Sequence, residues 1–127
     1  MQPVEQLATM FEISSESMEK EFKRNPIPKG IDERKLSVLQ LTARVEDSLS
    51  SLELPVFSRR ERATTMSPEL ITILTSWHPL RVLRNKIAHG EDVTYAELEY
   101  GIRLALAMQL ALKKTHHTEG ESENPDN

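Results

Sequence analysis

The 127-residue chain has no cysteine. That removes disulfides, thiolate metal sites and cysteine nucleophiles together, and it suits a reducing cytosol. Glycine is scarce, at 4 residues, and no stretch sustains the period-2 alternation of a half-buried strand. Long apolar runs are missing too. The longest, Leu104 to Met108, spans 5 residues, against the roughly 20 needed to cross a bilayer. Residues 1–22 carry acidic side chains throughout and no unbroken apolar core, so they read as neither a signal nor a transit peptide. Zinc-ligand spacing, a serine triad pattern and a phosphate-binding glycine loop are also lacking. The expectation is a cytoplasmic protein with no membrane partner, no cofactor and no metal.

What is present is helical periodicity. Val4, Leu7, Phe11, Met18 and Phe22 form one stripe, broken only by Ser14 and Ser15, until the prolines of Asn25-Pro26-Ile27-Pro28-Lys29-Gly30 stop it. A second stripe (Val38, Leu41, Val45, Leu49, Leu52) begins near Asp32, with Glu33 in its first turn, and ends at Pro55. Residues 56–66 have no clear period and read as a loop. Ser67-Pro68-Glu69 starts the next helix, with serine at the N-cap and proline in the first helical position. This helix carries Leu70, Ile71, Ile73, Leu74 and Trp77, the last read as a core anchor. His78-Pro79 either kinks it or starts another, which Gly90 ends in a left-handed conformation.

Thr94-Tyr95-Ala96-Glu97 fits a capping box. It opens the longest helix, expected to end near Lys113-Lys114. Between Leu104 and Leu112 the apolar positions of this helix wrap almost fully round the axis, which calls for cover on more than one side. A second copy of the protein is one such cover. Residues 115–127 are polar and acidic, and disorder is expected there. The predicted architecture is all-α: a compact bundle of four to five helices over residues 1–114, with an acidic tail.

The net charge of −4 is unevenly placed. Residues 34–90 hold 9 basic and 5 acidic side chains, whereas the tail from Thr115 holds 4 acidic and no basic ones. A basic region of this kind can hold a polyanion locally. Within it, His78, Arg81, Arg84, Asn85, Lys86 and His89 fall in twelve residues. At about 100° per residue, Asn85 and His89 share a face, Arg81 lies one turn earlier, and Arg84 sits beside them within reach of the imidazole. Imidazole moves protons near neutral pH. Guanidinium holds phosphate through paired hydrogen bonds and stabilises added negative charge. The set suits phosphodiester chemistry. The same residues near a helix C-terminus also cap carbonyls and favour the helix dipole, so the residues alone leave both readings open. Arg81, Lys86, His78 and the loop residues Arg59 and Arg60 are further candidates for contact with the phosphates of such a polyanion.

Leu83-Arg84-Asn85-Lys86-Ile87-Ala88-His89-Gly90, followed by the capped helix from Thr94, resembles the signature helix pair of HEPN domains. In that family an arginine, commonly followed by a polar residue such as asparagine, precedes a histidine by four to six positions. Arg84, Asn85 and His89 match. The resemblance covers residues 70–112, and the first two helices match in kind only. It implies a metal-independent endoribonuclease in which two protomers of a homodimer bring their motifs into one cleft. The RNA 2′-OH would attack the adjacent phosphate and leave a cyclic phosphate end. His89 would be the proton-transfer residue, Arg84 the phosphate stabiliser and Asn85 a positioning residue. A toxin or defence effector, controlled by an antitoxin or other regulatory protein, is the implied setting. Glu91 stands where toxins paired with a nucleotidyltransferase often carry tyrosine, so a modification switch of that type is not expected. The alternative that the family also allows is a non-catalytic helical module binding a partner protein or nucleotide.

Overall fold

The structure is a computed structural model that describes residues 3–51 and 68–123, with side chains to Lys114. The expected loop at 56–66 with Arg59 and Arg60, the Ser67 cap and residues 124–127 lie outside the described residues. Those described form five helices and no strand: α1 (Pro3–Met10), α2 (Ser15–Arg24), α3 (Ile31–Ser50), α4 (Pro68–Ala88) and α5 (Tyr95–Glu123).

The first apolar stripe is divided between two helices. Glu12 takes a left-handed φ of 54°. The Glu12 N–H donates to the Thr9 carbonyl, and the Ile13 N–H to that of Ala8, which closes α1 in a Schellman turn. Ile13, just past the turn, is buried. Ser14 then caps α2, its Oγ accepting from the Ser17 N–H at 3.1 Å. The serine pair that interrupts the stripe in sequence is thus where a new helix begins.

Helix α3 starts at Gly30 without a side-chain cap, and Arg34 braces this end instead. Its Nε donates to the Pro28 carbonyl at 2.6 Å and its Nη1 to the Tyr95 carbonyl at 3.2 Å, with the guanidinium 4.9 Å from the Tyr95 ring centroid. One side chain therefore joins the proline-rich turn, α3 and the first residue of α5. Helix α4 runs unbroken through Pro79, which has no N–H to give the Thr75 carbonyl. Leu80 and Leu83 beyond it are buried, so tertiary packing holds the helix across its weakest point.

Helix α5 is the axis of the molecule. It packs against α1, α2, α3 and α4, and Leu98, Ile102, Ala111, Leu112 and every residue from Leu104 to Met108 are buried. Burying one such leucine contributes about 1.5–3 kcal/mol. The four neighbouring helices account for the all-round apolar stretch, so its cover is found within one chain. The expected cover by a second copy is not needed for this stretch. The backbone helix also continues to Glu123, past the expected end near Lys113-Lys114. Two hydroxyls in the core, Thr42 Oγ1 and Ser76 Oγ, have no hydrogen-bond partner among the described residues, and each one costs stability.

Candidate functional site

The last two turns of α4 carry the motif, and their ending sets its geometry. The Gly90 N–H donates to the Ile87 carbonyl at 3.1 Å and the Glu91 N–H to that of Lys86 at 2.9 Å. This is a second Schellman turn, with Gly90 at φ 72°. Glycine takes that conformation at no steric cost. His89 is consequently the C-cap residue, exposed, with its backbone N–H still bonded to the Asn85 carbonyl at 2.9 Å.

No aspartate or glutamate occurs between Leu70 and Gly90. Arg81, Asn85 and His89 follow one another at four-residue spacing on the exposed side of α4, with His78 and Val82 beside them, all exposed. The side chains of His78, Arg81, Asn85 and His89 have no hydrogen-bond or ion-pair partner among the described residues. The helix therefore presents an uncommitted cation, an amide and two imidazoles to solvent.

The other two candidates turn away from this face, in different directions. Arg84 is half-buried and leans on α3, its Nη1 3.2 Å from Glu46 Oε2 and its guanidinium 5.7 Å from the Trp77 ring centroid. It is directed to Glu46, which corrects the expectation that it reaches toward the imidazole. Trp77 is half-buried and packs against the core from below this arginine. Lys86 leans toward α5, its Nζ 3.3 Å from Glu97 Oε2. Neither Glu46 nor the Lys86–Glu97 pair was foreseen. Glu46 is 38 residues from Arg84, and no local sequence signal links residues so far apart.

The capping box forms as the sequence indicates. The Thr94 N–H donates to Glu97 Oε1 at 3.1 Å, and the Glu97 N–H donates to Thr94 Oγ1 at 3.0 Å. The Thr94 backbone bond, followed by the Lys86 ammonium, holds the Glu97 carboxyl below the ordinary 4.5. A pKa lowered in the folded state contributes stability that is complete above 4.5 and is lost as pH falls through the lowered value. Wild-type protein is therefore expected to lose stability more steeply than Glu97→Gln as pH falls from about 6 to about 3. Thermal melts across that range test this. Parallel curves for the two proteins would show that the carboxylate carries no such linkage.

A cleft of about 380 Å³ opens between α4 and α5. Val82, Leu83, Tyr100 and Leu104 form its walls, with His78 near one end and the Lys86–Glu97 pair at the other. Burial raises the Tyr100 phenol above its usual value. A second cleft, of about 310 Å³, lies between α1 and α4, beside the exposed Met10 and Ile71. Among the described residues, no group of three or more histidine, aspartate or glutamate side chains is placed to hold a metal ion. No helix among them is long and apolar enough to cross a membrane. Comparison with protein-family models, curated proteins and solved structures gives no match.

Proposed function

We propose that this protein is a metal-independent endoribonuclease of HEPN type, acting as a homodimer in which the exposed face of α4 forms half of the site. One observation carries the reading: Arg81, Asn85 and His89 stand together on a stretch of chain without carboxylates, and their side chains have no partner among the described residues. Unpaired groups of this kind are available to a polyanion and to a proton transfer. His89 takes the proton of an RNA 2′-OH, and the oxygen attacks the adjacent phosphorus. The bond to the 5′ oxygen of the next nucleotide breaks, and the His89 imidazolium returns its proton to that oxygen as it leaves, giving a 2′,3′-cyclic phosphate, a 5′-OH and a neutral imidazole. Asn85 positions the phosphate. Arg84 is turned to Glu46 in a partly exposed ion pair, which bound RNA exchanges for the phosphate so that the guanidinium meets the developing charge.

The test is cleavage of RNA in excess EDTA by wild-type protein and by His89→Ala. Wild type is expected to cut, and the variant to lose at least about 100-fold in rate while keeping its helical signal. The other reading, a non-catalytic module for a partner protein or nucleotide, draws on Arg84, which Glu46 and Trp77 already engage. A folded dimer that leaves every RNA intact would decide for that module.

A further inference from the structure

The cleft between α4 and α5 adjoins the motif but has no part in the chemistry above. Its volume of about 380 Å³ lies within the usual small-ligand range of roughly 300–1,000 Å³. Apolar and aromatic side chains, Val82, Leu83, Tyr100 and Leu104, supply the walls. The polar end is a carboxylate and an ammonium side by side, Glu97 and Lys86, 3.3 Å apart. An ionised carboxylate has about four acceptor positions. The Thr94 N–H uses one and Lys86 another, which leaves two. The ammonium spends one of its three N–H groups on Glu97. The end of the cleft can therefore accept two hydrogen bonds and donate at least one.

Guanine is the RNA base that matches this. Its Watson–Crick edge puts two adjacent donors, N1–H and the N2 amino group, next to an acceptor, O6. Adenine and cytosine each present a donor beside an unprotonated ring nitrogen, which would face the carboxylate lone pairs. Uracil offers one N–H between two carbonyls. Tyr100 supplies an aromatic ring on which a base can stack, while the edge contacts select. The glycosidic N9 lies on the opposite side of a purine from its Watson–Crick edge, so a base seated against Glu97 carries its ribose along the walls toward His78.

We infer that the α4–α5 cleft is a guanine subsite, with the Glu97 carboxylate accepting from N1–H and N2–H and the Lys86 ammonium donating to O6. Its part in cleavage rests on the ribonuclease reading, but the binding itself can be measured apart from it. The experiment titrates the full chain with GMP, AMP, CMP and UMP, following backbone amide shifts by NMR and affinity by calorimetry. GMP is expected to bind most tightly and to move the amides of Lys86, Glu97 and Tyr100. Glu97→Gln keeps the capping box, since glutamine serves there too. It should weaken GMP binding about tenfold, the loss expected for a charge-assisted pair. Val82→Trp, at an exposed position on the cleft wall, should abolish binding with the helical signal retained.

Equal binding of the four nucleotides, shifts confined to other surfaces, or GMP affinity unchanged in Glu97→Gln would each overturn the inference. Short RNAs with and without a single guanine separate the two sources of the base. Tighter binding of the guanine-containing strand assigns the cleft to RNA, whereas binding of GMP alone assigns it to the free nucleotide. A protein that binds GMP here and cuts no RNA keeps the subsite and loses the nuclease reading. One that cuts RNA without regard to guanine and ignores GMP does the reverse.

Discussion

Gly101→Val is expected to destabilise the protein by about 2–3 kcal/mol, the cost of forcing methyl groups into a filled core, and to lower the melting temperature by roughly 10 °C. Gly101 lies on the buried side of α5, where α3 and α4 converge. A Cβ built at this position meets Leu83 Cδ2 directly and comes within 3.6 Å of Val38 Cγ2 and 3.9 Å of Leu80 Cδ2. Alanine is a different case. Leu83 Cδ2 is the end of a flexible side chain and can give way, while replacing a helical glycine by alanine recovers about 1 kcal/mol. Gly101→Ala is therefore expected to be close to neutral. Valine adds two further methyls toward neighbours on two helices, and no single rotamer change relieves both. Thermal and urea unfolding of the pair give the answer. A valine variant within about 2 °C of wild type would mean that the three helices do not approach as closely as described.

Arg84→Lys is expected to lower RNA cleavage by about 100- to 1,000-fold, the range for removing one donor that stabilises transition-state charge, while the fold barely responds. The structural part of this arginine is small. Its ion pair with Glu46 joins side chains that are 28% and 54% exposed, and solvent-screened pairs contribute about 0–1 kcal/mol. The contact with Trp77 adds about 0.5–1 kcal/mol. Lysine keeps the charge but loses the planar fork that binds phosphate through two bonds. The result to watch is the ratio: a large fall in kcat beside a shift of a few degrees in Tm marks Arg84 as catalytic. A small change in both would identify Arg84 as a brace between α3 and α4, and the binding-module reading would gain. The reference for both rates is cleavage of RNA in EDTA by wild-type protein.

Local signals account for most of the helices. Proline at the start of α4, glycine at its end, the Thr94–Glu97 box and the prolines after α2 act within one or two turns of chain, so their effect can be read directly. The division between α1 and α2 was only half legible. Ser14 and Ser15 mark an interruption, but a left-handed glutamate at position 12 is not a choice that propensity favours. The buried Ile13 and the pair of Schellman bonds outweigh that cost. For the candidate site, helical spacing placed Arg81, Asn85 and His89 on one face, which follows from geometry alone. Where Arg84 and Lys86 point was not legible, because each long side chain follows a carboxylate on another helix.

By itself, then, the sequence determined an all-helical chain, the places where most of its helices start and stop, and a run from Leu70 to Gly90 with cations and no carboxylate. Each of these depends on neighbours within a few residues. Tertiary structure alone decided that α5 is the central helix, clad by the other four rather than by a second copy. It also decided that Arg84 leans on Glu46 and Lys86 on Glu97, and that a cleft with a carboxylate at its end opens between α4 and α5. The physical reason is one of range. Backbone hydrogen bonds and caps act along the chain, whereas burial and ion pairing depend on which helices meet, and that is settled only when the whole core closes.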